Sequence, residues 1–114
     1  MAFIEWNHLR SDADLNAALT KGNDALVMFF KHSTRCPVSS MALRMFERDY
    51  SVESSNATAY FLDLIAYRSL SNRIANELGV EHESPQLIVV KNGVVVHIAS
   101  HSMISAKDVK MFVE

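Results

Sequence analysis

Cys36 is the one cysteine in a chain of 114 residues. A single thiol can form neither an intrachain disulfide nor a thiolate zinc cluster. Its chemistry, if it has any, is that of a reactive nucleophile or of one half of an intermolecular bond. Its surroundings favour that reading over the common one of a small buried apolar residue. The neighbours in Ser33-Thr34-Arg35-Cys36-Pro37-Val38-Ser39 are polar or turn-forming, and an apolar periodicity begins only at Val38. Arg35 supplies a permanent cation next to the thiol, and Lys31 and His32 are close in sequence. Pro37 suits a first helical turn, where its missing N–H costs nothing. A thiol at that point meets unpaired N–H groups and roughly half a positive charge, and both favour thiolate over thiol. The same stabilisation makes the sulfur a better leaving group from a mixed disulfide. Thr34 is a candidate cap for the helix. Ser39, one turn on, either donates a hydrogen bond to the thiolate or bonds the backbone and surface as serines often do.

The elements that must hold this thiol are legible from periodicity. A short extended start, Phe3–Trp6, is followed by a helix capped at Ser11 or Asp12, with Leu15, Ala18 and Leu19 on its apolar face and a stop near Gly22. Ala25–Phe30 is continuously apolar, which reads as a central strand covered on both faces. Residues 31–35 read as a polar loop. Val38, Met41, Ala42, Met45 and Phe46 then repeat at helical spacing and read as the core face of a second helix. Ser51–Asn56 is a polar break and Thr58–Asp63 a second buried strand. Leu70, Ile74, Ala75 and Leu78 mark a third helix, ended by Gly79. Gln86–Lys91 and Val94–Ala99 are strands joined by Asn92-Gly93, the strongest local hairpin signal. Ser105 with Asp108 resembles a capping box for a last helix packed by Val109, Phe112 and Val113, with Ile104 and Val109 at the staple positions. The order β-α-β-α-β-α-β-β-α predicts an α/β fold, a mixed sheet with helices on both faces, in one domain spanning 1–114. Right-handed crossovers place the Ala25 and Thr58 strands side by side and parallel. Cys36 then lies beyond the carboxyl end of a central strand, where open α/β sheets keep their active groups.

Composition narrows the function classes. Apolar residues make up 49% and charged ones 21%, and glycine plus proline number five, so disorder is excluded as the main state. Net charge is −2, with no basic surplus to follow a phosphate backbone, and no nucleic acid is expected as partner. The apolar runs at 25–30 and 87–90 are too short to span a bilayer, and the first residues lack the pattern of a secretory signal, so a cytoplasmic protein away from membranes is expected. His97 and His101 stand four apart but across a strand end and a loop, where that spacing does not pair ligands, and no metal is expected. Asp63 reads equally as a carboxylate near the thiol or as a turn cap. The Met41 and Met45 stripe gives no reason to invoke a cofactor.

A strand followed by Cys36-Pro37-Val38-Ser39 at a helix start resembles the thioredoxin fold, with its C-x-x-C reduced to C-x-x-S. Ser84-Pro85, just before the Gln86 strand, stands where thioredoxin-like proteins carry a cis-proline facing the active cysteine; a plain strand-start proline is the alternative. Phe30–Ser39, with Glu83-Ser84-Pro85-Gln86 and Ala99-Ser100-His101, is similar to the monothiol bacilliredoxins, whose usual motif is Thr-Arg-Cys-Pro-Ile-Ser or close to it. The resemblance implies a monothiol oxidoreductase that removes bacillithiol from S-thiolated client proteins. Bacillithiol, the low-molecular-weight thiol, is then a co-substrate, and no cofactor is tightly bound. Cys36 is the nucleophile, with Arg35, Thr34, Pro37, Ser39, Ser84 and Pro85 activating the thiolate or binding substrate, and His101 near the active end. A monomer is expected. Departures from dithiol thioredoxins weigh against their route: Ser39 replaces a resolving cysteine, the Ala25 strand has no Asp or Glu, and the only tryptophan is Trp6. Three other readings compete. A one-cysteine peroxidase would pass through a sulfenic acid, although Ser33 stands where such enzymes have threonine. An iron–sulfur carrier like the monothiol glutaredoxins would have glycine in place of Pro37. A non-catalytic thioredoxin-like adaptor would leave Cys36 incidental.

Overall fold

The structure, a computed structural model, describes residues 4–113. The five strands are β1 (Trp6–His8), β2 (Leu26–His32), β3 (Thr58–Asp63), β4 (Gln86–Lys91) and β5 (Val94–Ser100). The helices are α1 (Asp12–Gly22), α2 (Pro37–Asp49), α3 (Arg68–Leu78) and α4 (Ala106–Lys110), with a 3₁₀ turn at His101–Met103 before α4. The sheet order is β1-β3-β2-β4-β5. β1, β3 and β2 run parallel, while β4 is antiparallel to both β2 and β5. The element order and the parallel β2–β3 pair follow the sequence reading. The first strand begins later than expected, at Trp6, and Phe3 lies outside the described residues.

The two faces of β2 explain its unbroken apolarity. Val27 and Phe29 pack into one core with Leu15 and Ala18 of α1 and Leu70 and Ile74 of α3. Met28 and Phe30 pack into the other with Phe46 of α2 and Ala106 and Val109 of α4. All seven residues of β2 are buried. Trp6 closes the second core, its ring 5.8 Å from Phe30 and 6.1 Å from Phe46, and its indole N–H donates to Glu47 at 2.7 Å. Burying each such aromatic side chain contributes about 1.5–3 kcal/mol.

Local signals set the element ends. Ser11 caps α1, its hydroxyl accepting from the Asp14 N–H at 3.1 Å. Gly22 is not a left-handed stop, because the cap residue Asn23 has φ −68°. It is instead a point of close approach: a Cβ there would meet Val27 Cγ2 at 3.1 Å. Asn92 and Gly93 both have positive φ, 51° and 81°, as a type I′ hairpin turn needs. Ser105 caps α4 through the Lys107 N–H at 3.3 Å. Asp108 does not complete a capping box but pairs with His97 at 3.2 Å. Among the described residues no helix is long and apolar enough to cross a membrane.

Candidate active site

β2 runs on to His32, so Lys31 and His32 belong to the strand rather than to a polar loop. They are held there by neighbours on both sides: Lys31 pairs with Leu62 and Gln86, and His32 with Asp63. A tight turn follows, closed by the Cys36 N–H donating to the Ser33 carbonyl at 3.2 Å. Thr34 and Arg35 are exposed on that turn. The helix cap is Cys36 itself (φ −109°, ψ 117°) and no side chain bonds the first turn, so Thr34 is not the cap. Pro37 takes the first helical position, as expected, and the Ser40 N–H donates to the Cys36 carbonyl at 3.0 Å. Cys36 is free and partly exposed. Its sulfur therefore sits at the positive end of a 13-residue helix, at the carboxyl end of a central strand.

Ser39 is fully buried. Its hydroxyl oxygen accepts from the Ser33 N–H at 3.0 Å and lies 2.7 Å from His32 Nδ1. No hydrogen bond joins it to Cys36 among the described residues. The hydroxyl proton is thus given to His32, whose imidazole is neutral with its proton on Nε2. Burial pushes the His32 pKa below its usual range, against the pull of Asp63 and Glu47. The expected donor to the thiolate is instead a clamp between strand end, turn and helix. His32 was not legible as its partner, because a histidine after an apolar run looks the same whether the strand stops before it or after it.

Lys31 does not reach the thiol. Its ammonium lies fully buried under α3, bonded to the Ser71 carbonyl at 3.1 Å, because alternation along β2 sends it to the face opposite α2. The residues around Ser84-Pro85 do come to the thiol's end of the sheet. Gln86, the first residue of β4, is in register with Lys31 near the end of β2. The Ser84–Pro85 peptide bond is cis, Pro85 is buried and Ser84 half-buried. The Pro85 carbonyl accepts from the His101 N–H at 3.1 Å.

His101, Ser102 and Ile104 line a groove of about 390 Å³ together with Pro37, Val38, Met41, Ala42 and Met45. This corrects the reading of α2. Val38, Met41 and Met45 are 53%, 50% and 44% exposed, and of that stripe only Phe46 enters the core. The helix lies across the sheet with its core line through Ser39 and Phe46, half a stripe away from the one periodicity suggested. Asp63 resolves as a turn cap, its carboxylate accepting from the N–H groups of Ile65 at 3.1 Å and Ala66 at 3.3 Å. Among the described residues no three His, Cys, Asp or Glu side chains are grouped as metal ligands.

The geometry is that of one accessible thiol at a helix start, beside a cis-proline loop and an apolar groove. Comparison with known proteins agrees. A solved protein with a thioredoxin fold is 27% identical, with a TM-score of 0.77 over 93% of this chain and 91% of its own. Thioredoxin O2 from Arabidopsis thaliana (22% identity, TM-score 0.69, 93% and 89% of the two chains) and the Malassezia sympodialis thioredoxin Mala s 13 (17%, 0.69, 97% and 90%) share the fold. The family model described as monothiol bacilliredoxin BrxC matches residues 7–109, nearly the whole of the chain and every residue of the site above. The chain therefore belongs to the monothiol bacilliredoxin family and is a thiol–disulfide oxidoreductase of the thioredoxin fold.

Proposed function

We propose that the protein removes bacillithiol from S-bacillithiolated proteins by a monothiol exchange at Cys36. The observation that supports this most is the pairing of one partly exposed thiol at the N-terminus of α2 with a buried serine at the position of a resolving cysteine. The Cys36 thiolate attacks the bacillithiol sulfur of the mixed disulfide. The bond between that sulfur and the protein sulfur breaks, and the client leaves as its thiolate. Cys36 is now disulfide-bonded to bacillithiol. A second bacillithiol thiolate attacks the bacillithiol sulfur of this adduct, releasing Cys36 and forming the symmetric disulfide. No step changes the total number of disulfides, so no external electron donor enters the cycle until the small disulfide is itself reduced.

The helix terminus stabilises the thiolate both as nucleophile and as leaving group. Arg35, exposed on the turn beside the sulfur, pairs with an anionic group of the small thiol. Thr34 and Pro37 border the sulfur along the chain, and Ser39 fixes the turn through Ser33 and His32. The backbone at Ser84, next to Pro85, pairs with the client's extended segment as an added strand. The protein acts as a cytoplasmic monomer on S-thiolated clients and needs no bound cofactor.

The test is turnover with a bacillithiolated protein and free bacillithiol. The wild type releases the client thiol catalytically, Cys36→Ala does not, and insulin disulfides are reduced poorly. Equal activity of Cys36→Ala would refute the proposal. Rapid consumption of peroxide with the mixed disulfide untouched would replace it by a peroxidase.

A further inference from the structure

The face of β2 opposite Cys36 holds a second polar cluster. Lys31 is fully buried, and its ammonium has no carboxylate partner among the described residues. It donates to the Ser71 carbonyl of α3 at 3.1 Å and to His82 Nδ1 at 3.2 Å. Ser71 Oγ lies 3.3 Å from the same nitrogen. Because an ammonium only donates, His82 Nδ1 must be an unprotonated acceptor. His82 belongs to the segment between α3 and β4 that leads into Ser84-Pro85. A further tie holds the segment: Gln86 Nε2 donates to the Glu81 carbonyl at 2.9 Å.

An unpaired buried cation is a costly way to fill a core position, and an apolar side chain of similar length would be cheaper. The three bonds that justify it all end on α3 or on residue 82, none on the strands. We infer that Lys31, Ser71 and His82 form a latch that positions the segment 81–85, and with it the Ser84 backbone, for the protein half of the mixed disulfide. Lys31 and His82 are positioning residues; neither touches the reacting sulfurs. The groups facing His82 are Lys31 on β2, Arg68 and Ser71 on α3 and Glu83 on its own loop. Burial, Lys31 and Arg68 all disfavour the imidazolium, so the latch stays closed at neutral pH and opens on the acid side, below the usual histidine value of about 6.5.

This inference rests on the proposed function for its kinetic readout only. The experiment combines hydrogen exchange of residues 81–85 with KM and kcat for a bacillithiolated protein, on the wild type, Lys31→Met and His82→Asn. Lys31→Met is expected to speed exchange in this segment and to raise KM, each roughly tenfold. The rate of Cys36 alkylation by iodoacetamide should not change. His82→Asn keeps an acceptor in place of Nδ1 and cannot titrate, so it should retain the wild-type KM at pH 7 and lose the acid-side rise in KM. Wild-type exchange and KM in Lys31→Met, or an unchanged acid-side rise in His82→Asn, would overturn the latch. Should the wild type show no dethiolation at all, the proposed function fails, and the exchange rates alone decide the latch.

Discussion

Replacing Ser39 by alanine removes one oxygen and leaves two groups without their partner. The Ser33 N–H loses an acceptor at 3.0 Å, and His32 Nδ1 loses a donor at 2.7 Å, in a place from which water is excluded. Each stranded group costs about 1–3 kcal/mol. Alanine returns about half a kcal/mol through its better helix propensity. The expected net loss is roughly 2–4 kcal/mol, equivalent to a fall in Tm of about 10 °C for a domain of this size. Urea unfolding followed by the fluorescence of Trp6 measures it, since this single tryptophan packs on Phe46 of α2 and Phe30 of β2. Alkylation of Cys36 provides a second readout: the turn it sits on loses its tie to the helix, while the sulfur itself loses no hydrogen bond, so activity should fall but remain measurable. A loss below about 0.5 kcal/mol, the range of ordinary surface changes, would refute the clamp.

Burial holds the Lys31 pKa down at about 8, against 10.5 ordinarily. The unfolded chain keeps that proton up to its ordinary value and the native chain releases it earlier, so stability rises with pH between the two, by at most about 3 kcal/mol. Urea titrations at pH 7 and pH 10.5 should show this gain in the wild type and lack it in Lys31→Met; equal gains in both would contradict it. Arg35→Ala should lower kcat/KM for a bacillithiolated client by up to roughly fivefold, with the difference from wild type shrinking in 1 M salt as screening takes over; a difference that salt does not touch would remove the electrostatic role. Gly93→Ala, at φ 81°, should cost about 1 kcal/mol in the same urea assay, and no loss would mean that the hairpin turn relaxes.

The order of elements was legible because each strong signal was local. The doubly buried run of β2, the Asn92-Gly93 turn and Gly79 after α3 need no knowledge of the rest of the chain. Placement of Cys36 followed from Pro37 and from the strand before it. What the sequence hid was set by distant neighbours. Lys31 and His32 look like loop residues until β3 and β4 are seen to pair with them. Helical periodicity shows that α2 is amphipathic but not where the sheet meets it, so Val38, Met41 and Met45 were placed in the core although they face a groove. Ser39 was rightly singled out, but its bonds go to His32 and Ser33, and nothing in the residue order distinguishes those partners from Cys36 one turn back.

The central claim is that Cys36 takes the small thiol and not the client. Reduced protein mixed with one equivalent of a bacillithiolated client, without free bacillithiol, and quenched with acid can be weighed intact. The account predicts one bacillithiol adduct, located on Cys36, with an equal amount of client thiol released. An unmodified Cys36 with the client still thiolated, or a disulfide joining Cys36 to the client itself, would contradict it.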